Sequence, residues 1–211
     1  MTEFSQGSRP GLREATRDRM RVSILNAAKD LSLEVGWGQV RLTAVAERAC
    51  VSRPTVYSLF DGKPGLARSL VADEAQRVIM IAVRALEEYS PAGPVRAVSA
   101  AIEAVLAAGE ANTFLRKVLS DGPGREPDLL RYLTVDADPI HTSAWLAMLP
   151  WTRANFPGVG VADLSQVVDA VVRLVLSHLV LPGADRGVVA DTLAGMAVQF
   201  LSTRSNSLQR T

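Results

Sequence analysis

One stretch, Arg41 to Leu66 (RLTAVAERACVSRPTVYSLFDGKPGL), limits what this chain can fold into more than any other. Leu42, Val45, Ala46 and Ala49 fall at the i, i+3, i+4 and i+7 positions of one helical face, so a short amphipathic helix covers Leu42 to Ala49. Cys50, Val51 and Ser52 interrupt it. Ser52 is placed to cap a second helix, its side-chain oxygen accepting an amide of the first turn, and Pro54 falls in that turn, where a missing N–H costs little. The second helix starts at about Arg53 and is only about two turns long, because Asp61 and Gly62 stop it and Pro64 sits in the first turn of the next, for which Asp61 or Gly62 is the cap. Two such helices bury little by themselves. Val56, Leu59 and Phe60 must therefore pack on a helix from elsewhere in the chain.

The outward side of the second helix carries Ser52, Arg53, Pro54, Thr55, Tyr57 and Ser58, all hydrogen-bond donors apart from the proline and none acidic. A helix N-terminus with donors and a cation suits the DNA major groove: free amides and the helix dipole favour phosphate, and an arginine pairs bidentately with guanine. Tyr57 and Lys63, at the far end, are spaced to hold phosphates, which fixes register without reading sequence. The pattern points to a helix-turn-helix that binds double-stranded DNA.

Gly36-Trp37, the AVAERACVSRPTVYSLF run and the Phe60-x-x-Lys63-x-x-Leu66 spacing together resemble the N-terminal domain of the TetR family of one-component repressors. The resemblance implies an all-α homodimer, with a three-helix DNA-binding domain followed by a C-terminal domain for ligand binding and dimerisation. Two positions depart from the family pattern. Cys50 stands where a glycine is usual, and a non-glycine residue in a left-handed turn costs roughly 1–2 kcal/mol. Arg41 stands where Ser or Thr is common, which suggests that it trades a cap for a phosphate contact and leaves Thr43 to cap the helix. The expected organisation is a disordered arm over residues 1–11, the helix-turn-helix domain over 12–62 and the ligand-binding and dimerisation domain over 63–211.

Composition agrees with this reading. A hydrophobic content of 48% with only 5% aromatic residues suits a helical protein with an Ala/Val/Leu-rich core. The net charge of +1 divides unevenly, with 11 Lys and Arg against 7 Asp and Glu in residues 1–70, and 12 against 15 in the remainder. The basic part is the part with the motif. One cysteine and no secretory pattern fit a reducing cytoplasm. Val167 to Leu181 is rich in Val and Leu, but Asp169, Arg173 and His178 make it too polar to span a bilayer, so no membrane partner is expected.

Along the rest of the chain, Arg9, Arg13, Arg17, Arg19 and Arg21 lie on the arm and the start of a first helix, within reach of phosphates or a minor groove. Ordinary solvated charges are the competing explanation for Arg9 and Arg13. The first helix runs from about Thr16 to Val35, closed by Gly36, with Trp37 sealing the small core. A long helix from Lys63 to about Tyr89 starts beside the DNA and ends in the second domain, and Ser90 to Pro94 (SPAGP) breaks it. Helices near Val95 to Ala108 and Asn112 to Leu119 precede a break at Asp121 to Gly124. The segment Pro127 to Pro157 collects aromatics and Met around Pro150, which interrupts its helix, and makes a plausible wall for a small-molecule effector. Tyr89, Phe114, His141, Trp145, Met148 and Trp151 are the candidate ligand contacts, with core packing as the alternative for each.

The last two helices, about Val161 to Leu181 and about Asp185 to Ser202, meet at Pro182-Gly183, and the chain after Thr203 is polar and expected to fray. They carry more apolar surface than one copy can hide, so they are expected to pair with their copies in a four-helix bundle about a two-fold axis. Val167, Val171, Leu174, His178, Leu193, Met196 and Phe200 are the candidate dimer contacts. With two histidines, one cysteine, no glycine-rich phosphate loop and no ligand cluster at metal spacing, neither a catalytic constellation nor a metal or cofactor site is legible. The competing class is an apolar-ligand carrier with a vestigial helix-turn-helix, against which the retained donors Arg53, Thr55, Tyr57 and Lys63 count.

Overall fold

Helix follows helix through residues 11–120, 127–181, 183 and 185–208, the part of the chain that the computed structural model describes, and among these residues there is no strand. The arm up to residue 10, the break at Asp121 to Gly124 and the Pro182 turn lie outside the described residues. Two compact units divide between Leu70 and Val71, within one helix.

In the N-terminal unit, α1 (Leu12–Val35) begins four residues before the expected Thr16. Gly36, at φ +83°, closes it, and its N–H donates to the Ser32 carbonyl. A 3-10 turn (Trp37–Gln39) then buries Trp37 in a core formed with Ile24, Leu25, Ala28, Leu31, Val45, Val56 and Phe60. Helix α2 spans Leu42–Arg48 and α3 spans Arg53–Phe60. Ser52 caps α3 as its position predicts, its Oγ accepting from the Thr55 amide at 3.2 Å. Thr43 does not cap α2. Arg41 occupies the cap position in extended backbone without a side-chain hydrogen bond, and Thr43 lies inside the first turn because Leu42 is already helical.

Cys50 adopts φ +54°, the left-handed conformation that a glycine takes without strain. Cys50→Gly is therefore expected to raise the stability of this unit by about 1 kcal/mol, the relief of strain exceeding the entropy that glycine adds to the unfolded chain. A thermal unfolding midpoint that stayed the same or fell would show that this turn carries no strain.

Helix α4 spans Gly62–Tyr89, and a 3-10 turn (Ser90–Ala92) separates it from α5 (Pro94–Ala111). In the C-terminal unit these are followed by α6 (Thr113–Ser120), α7 (Pro127–Thr134), α8 (Asp138–Asn155), α9 (Val161–Val180) and α10 (Arg186–Leu208). Asn112 is a cap rather than part of α6: its Oδ1 accepts from the Phe114 and Leu115 amides at 3.0 and 3.1 Å, while its Nδ2 donates to buried Glu74 at 2.8 Å. Pro150 does not interrupt α8, which is helical on both sides of it. Proline removes the N–H that would pair with the carbonyl of Leu146, and both residues lie on the exposed side of the helix. Nor does α10 end at Ser202. It runs to Leu208, with Thr203 Oγ1 donating to the Gln199 carbonyl at 2.9 Å and the Arg204 guanidinium 5.2 Å from the Phe200 ring. No single described helix is long and apolar enough to cross a membrane.

Candidate functional site

The N-terminal unit presents one open polar face on α3. Val56 and Phe60 are buried, whereas Ser52, Arg53, Pro54, Tyr57 and Ser58 are exposed and Thr55 is half-buried. Arg53 and Tyr57, one turn apart, are ordered against each other: Arg53 Nη2 lies 3.4 Å from Tyr57 Oη, and the guanidinium lies 5.5 Å from the ring centre. Arg41 and Thr43 are exposed at the start of α2.

Lys63 is not part of that open row. Its Nζ donates to the Gly38 carbonyl at 3.0 Å and lies 5.4 Å from the Trp37 ring, which ties the 3-10 turn to the start of α4. Arg21, read from sequence as a phosphate contact, is exposed but engaged within the unit. It donates to Leu59 O at 3.4 Å and Ser69 Oγ at 2.9 Å and covers the Phe60 ring at 4.8 Å, so it holds the end of α3 from α1. Arg48 and Glu34 clamp α2 to α1 with a paired contact at 2.6 and 2.9 Å, and this hydrogen bonding holds Glu34 below the usual carboxylate range. Arg21 and the Arg48–Glu34 pair were missed because an arginine on a helix surface looks the same in sequence whether it faces solvent or a neighbouring helix end.

The C-terminal unit holds a partly open cavity of about 160 Å³. Its walls come from α4 (Ala75, Val78, Ile79, Ala82, Leu86), α5 (Val98, Ala101, Ile102, Val105), α6 (Leu115, Leu119), α7 (Leu133), α8 (Ile140, Ala144, Met148, Trp151, Thr152), Phe156, α9 (Val167 to Leu179) and α10 (Ala197, Val198, Leu201). Of the six candidate ligand contacts, Met148 and Trp151 line it. The other four lie elsewhere. Phe114 is core, and Trp145 packs against the cluster of Phe156, Val159, Leu164, Val198 and Leu201, part of which forms the wall, without lining the cavity itself. Tyr89 lies in a surface groove between α4 and α5, with the Arg96 guanidinium 5.0 Å from its ring. His141 Nδ1 is 2.6 Å from Asp169 Oδ1, an ion-pair distance but without the alignment of a hydrogen bond. Arg173 donates to the other oxygen of that carboxylate at 2.7 Å, and chiefly this bond holds Asp169 below its ordinary range.

The candidate dimer contacts separate in the same way. Leu174, Met196 and Phe200 are exposed at 41%, 60% and 42%, and His178 is half-buried. Leu193 is only 6% exposed, in a cluster with Ile102 and Val175, so it is interior to one copy and cannot meet a second. Val167 and Val171 line the cavity. Periodicity identified these as apolar without telling a cavity wall or an interior face from an interface. Among the described residues no three His, Cys, Asp or Glu side chains converge as a metal site requires.

This arrangement recurs in known proteins. Residues 24–70 match the model of the bacterial regulatory proteins of the tetR family, and residues 94–199 match that of the bacterial tetracyclin repressor C-terminal domain. The chain is 31% identical to the HTH-type transcriptional regulator AlkX of Mycobacterium tuberculosis over 188 residues, 89% of this chain and 87% of that protein. Among solved structures, the TetR family repressor AlkX from a Dietzia species, described as implicated in biodegradation of n-alkanes, superposes with a TM-score of 0.71 at 23% identity, covering 94% of this chain and 100% of that one. FadR from Bacillus subtilis, solved with stearoyl-CoA, gives a TM-score of 0.55 at 15% identity over 84% of this chain and 97% of that one. Matches to both halves, and a relative above 30% identity along most of the length, establish that this chain is a member of the TetR family of transcriptional regulators.

Proposed function

We propose that the protein is a repressor that binds a pseudo-palindromic operator as a homodimer and is released from it by a small apolar effector. The observation that carries the DNA-binding half is the face of α3, with five exposed or half-buried donors, Ser52, Arg53, Thr55, Tyr57 and Ser58, and no carboxylate among them. Two copies place their α3 helices in successive major grooves, about 34–36 Å apart. The apolar effector is supported by the cavity, and by the n-alkane and stearoyl-CoA associations of the structurally similar Dietzia and Bacillus proteins. Effector binding favours a dimer whose reading heads no longer match that spacing, and by reciprocity operator DNA weakens effector binding by the same factor.

Fluorescence anisotropy on DNA from upstream of the protein's own gene, with scrambled DNA as competitor, tests the reading. Saturable, salt-sensitive binding that resists the competitor supports it, and absence of binding on all DNA would favour the carrier alternative. Within that assay, Arg53→Ala is expected to lose about 1–3 kcal/mol on operator and to relax specificity, whereas Tyr57→Phe weakens all sequences alike. Arg21→Ala is expected to weaken binding severalfold while leaving the slope of log affinity against log salt unchanged, because Arg21 positions α3 and releases no counterion. A slope reduced by about one unit would make Arg21 a phosphate contact instead.

A further inference from the structure

Apart from the exposed stripes of α9 and α10, the C-terminal unit carries a second surface of mixed character, the groove between α4 and α5. Its floor is made of small side chains, with Ala85 and Ala100 buried and Ala104 half-buried. Arg84 and Glu88, both exposed, stand on its α4 side; Arg96, exposed, and Glu103, half-buried, stand on its α5 side. The Arg96 guanidinium lies over the Tyr89 ring. Among the described residues the side chains of Arg84, Glu88 and Glu103 have no hydrogen-bond or ion-pair partner. Arg84 and Glu88 have the spacing of an ion pair, four residues apart on one helix, but with the arginine first, the less favourable order.

These four charges alternate in sign. Ala82, Ala85 and Leu86 of α4 pack with Ala97 and Ala101 of α5, and Tyr89 meets Arg96, so the two helices run antiparallel here. Glu88 is therefore level with Arg96. Counted from the Tyr89–Arg96 contact, Arg84 lies about 7.5 Å along α4 and Glu103 about 10.5 Å along α5, a difference of only about 3 Å at the helical rise per residue. Each end of the groove holds one charge of each sign, and so does each side.

A face charged in this way is complementary to itself. Two copies that meet face to face are related by a two-fold axis lying in the plane of contact. With the axis along the groove, α4 of one copy faces α5 of the other, which opposes Arg84 to Glu103 and Glu88 to Arg96. With the axis across the groove, like helices face each other, which opposes Arg84 to Glu88 and Arg96 to Glu103. Unlike charges meet in both cases, whereas a uniformly acidic or basic partner would meet a like charge at two of these positions. We propose that this groove is a second self-association surface, whose occupant is the same groove of another copy, apart from the α9–α10 seam. Ten residues line it, fewer than the roughly 20–30 on each side of a stable interface, so the contact is weak and forms only at high concentration or between copies already held close together. Its regulatory consequence, cooperative occupation of neighbouring operators, rests on the repressor reading above; the contact itself does not.

Sedimentation velocity on the full-length protein, from low to high micromolar concentration, tests it. At low salt a species larger than the one present at low concentration is expected to grow, and near 1 M salt, where the screening length is about 3 Å, it is expected to disappear. Arg84→Glu, Glu103→Arg and Glu88→Arg each oppose like charges about either axis, so each alone is expected to weaken this association at least about tenfold. Mixing Arg84→Glu with Glu103→Arg restores every unlike pair between the two chains if the axis runs along the groove; mixing Arg84→Glu with Glu88→Arg does so if it runs across. One mixture is therefore expected to associate as the parent does, a recovery that no effect within a single chain can produce. Circular dichroism confirms folding, and Glu103→Gln, which removes the like-charge contact without reversing it, serves if Glu103→Arg does not fold. Absence of the larger species, its survival at high salt, or failure of both mixtures would each overturn the proposal. A protein that associates in this pattern but binds no DNA sinks the repressor reading alone, and one that binds operator but never associates further sinks the groove contact alone.

Discussion

Gly65→Ala is expected to destabilise the N-terminal unit by roughly 3–5 kcal/mol and to abolish operator binding, although residue 65 touches no DNA. A Cβ on Gly65 would lie 1.6 Å from the Phe60 carbonyl oxygen and 2.8 Å from its carbonyl carbon. Both atoms are backbone, so no side chain can swing aside to relieve the clash. Phe60 is itself fixed: its ring is buried under Arg21, and the turn after it passes through Asp61 at φ +53° and Gly62 at φ +85°. Relief therefore requires the end of α3 to shift, and with it the face that carries Arg53 and Tyr57. Gly62→Ala makes the contrast. Its new Cβ meets nothing closer than Pro64 Cδ at 3.8 Å, so only the left-handed backbone resists, at about 1–2 kcal/mol. Denaturant unfolding and anisotropy on the two variants check this. If Gly65→Ala proved no worse than Gly62→Ala, the close approach of α3 and α4 would be wrong.

How much of this was legible in sequence follows from what local chemistry records. The Ser52 cap, the stop at Asp61-Gly62 and the inward set Val56, Leu59 and Phe60 are properties of a few adjacent residues; the cap and the stop stand where the spacing puts them, and of the inward set Val56 and Phe60 are buried and Leu59 half-buried. Gly65 left no such trace: in GKPGL it lies in the first turn of the long helix with nothing to single it out, and only the fold reveals the carbonyl against it. The cavity was misread for a different reason. Aromatic and polar residues drew attention to Tyr89, Phe114, His141 and Trp145, yet its walls are mostly Val, Leu, Ile and Ala on α4, α5 and α9, the same residue types that fill an ordinary core. A void has no composition of its own. Likewise Leu193 and Met196, both apolar and three residues apart on α10, are told apart only by what covers them, 6% against 60% exposed.

That difference on α10 sets the second large effect, in the dimer proposed above. Leu174 and His178 lie at i and i+4 on α9, with Leu181 just past its end, and Met196 and Phe200 lie at i and i+4 on α10; all except the half-buried His178 are exposed. Paired about a two-fold axis, these stripes form the apolar seam of a four-helix bundle, and each substitution enters the seam twice. Met196→Glu is therefore expected to leave the single copy folded, since residue 196 is largely solvated there, and to weaken dimerisation at least about a hundredfold by burying two unpaired carboxylates. Leu193→Glu, one turn away but interior, is expected instead to unfold the C-terminal unit. Light scattering at micromolar concentration, with circular dichroism to confirm folding, separates the two. A Met196→Glu protein that remained dimeric would move the interface off this seam. A folded monomer that still bound operator as tightly as the parent would retain the interface and remove the pseudo-palindrome, because one reading head would then be enough.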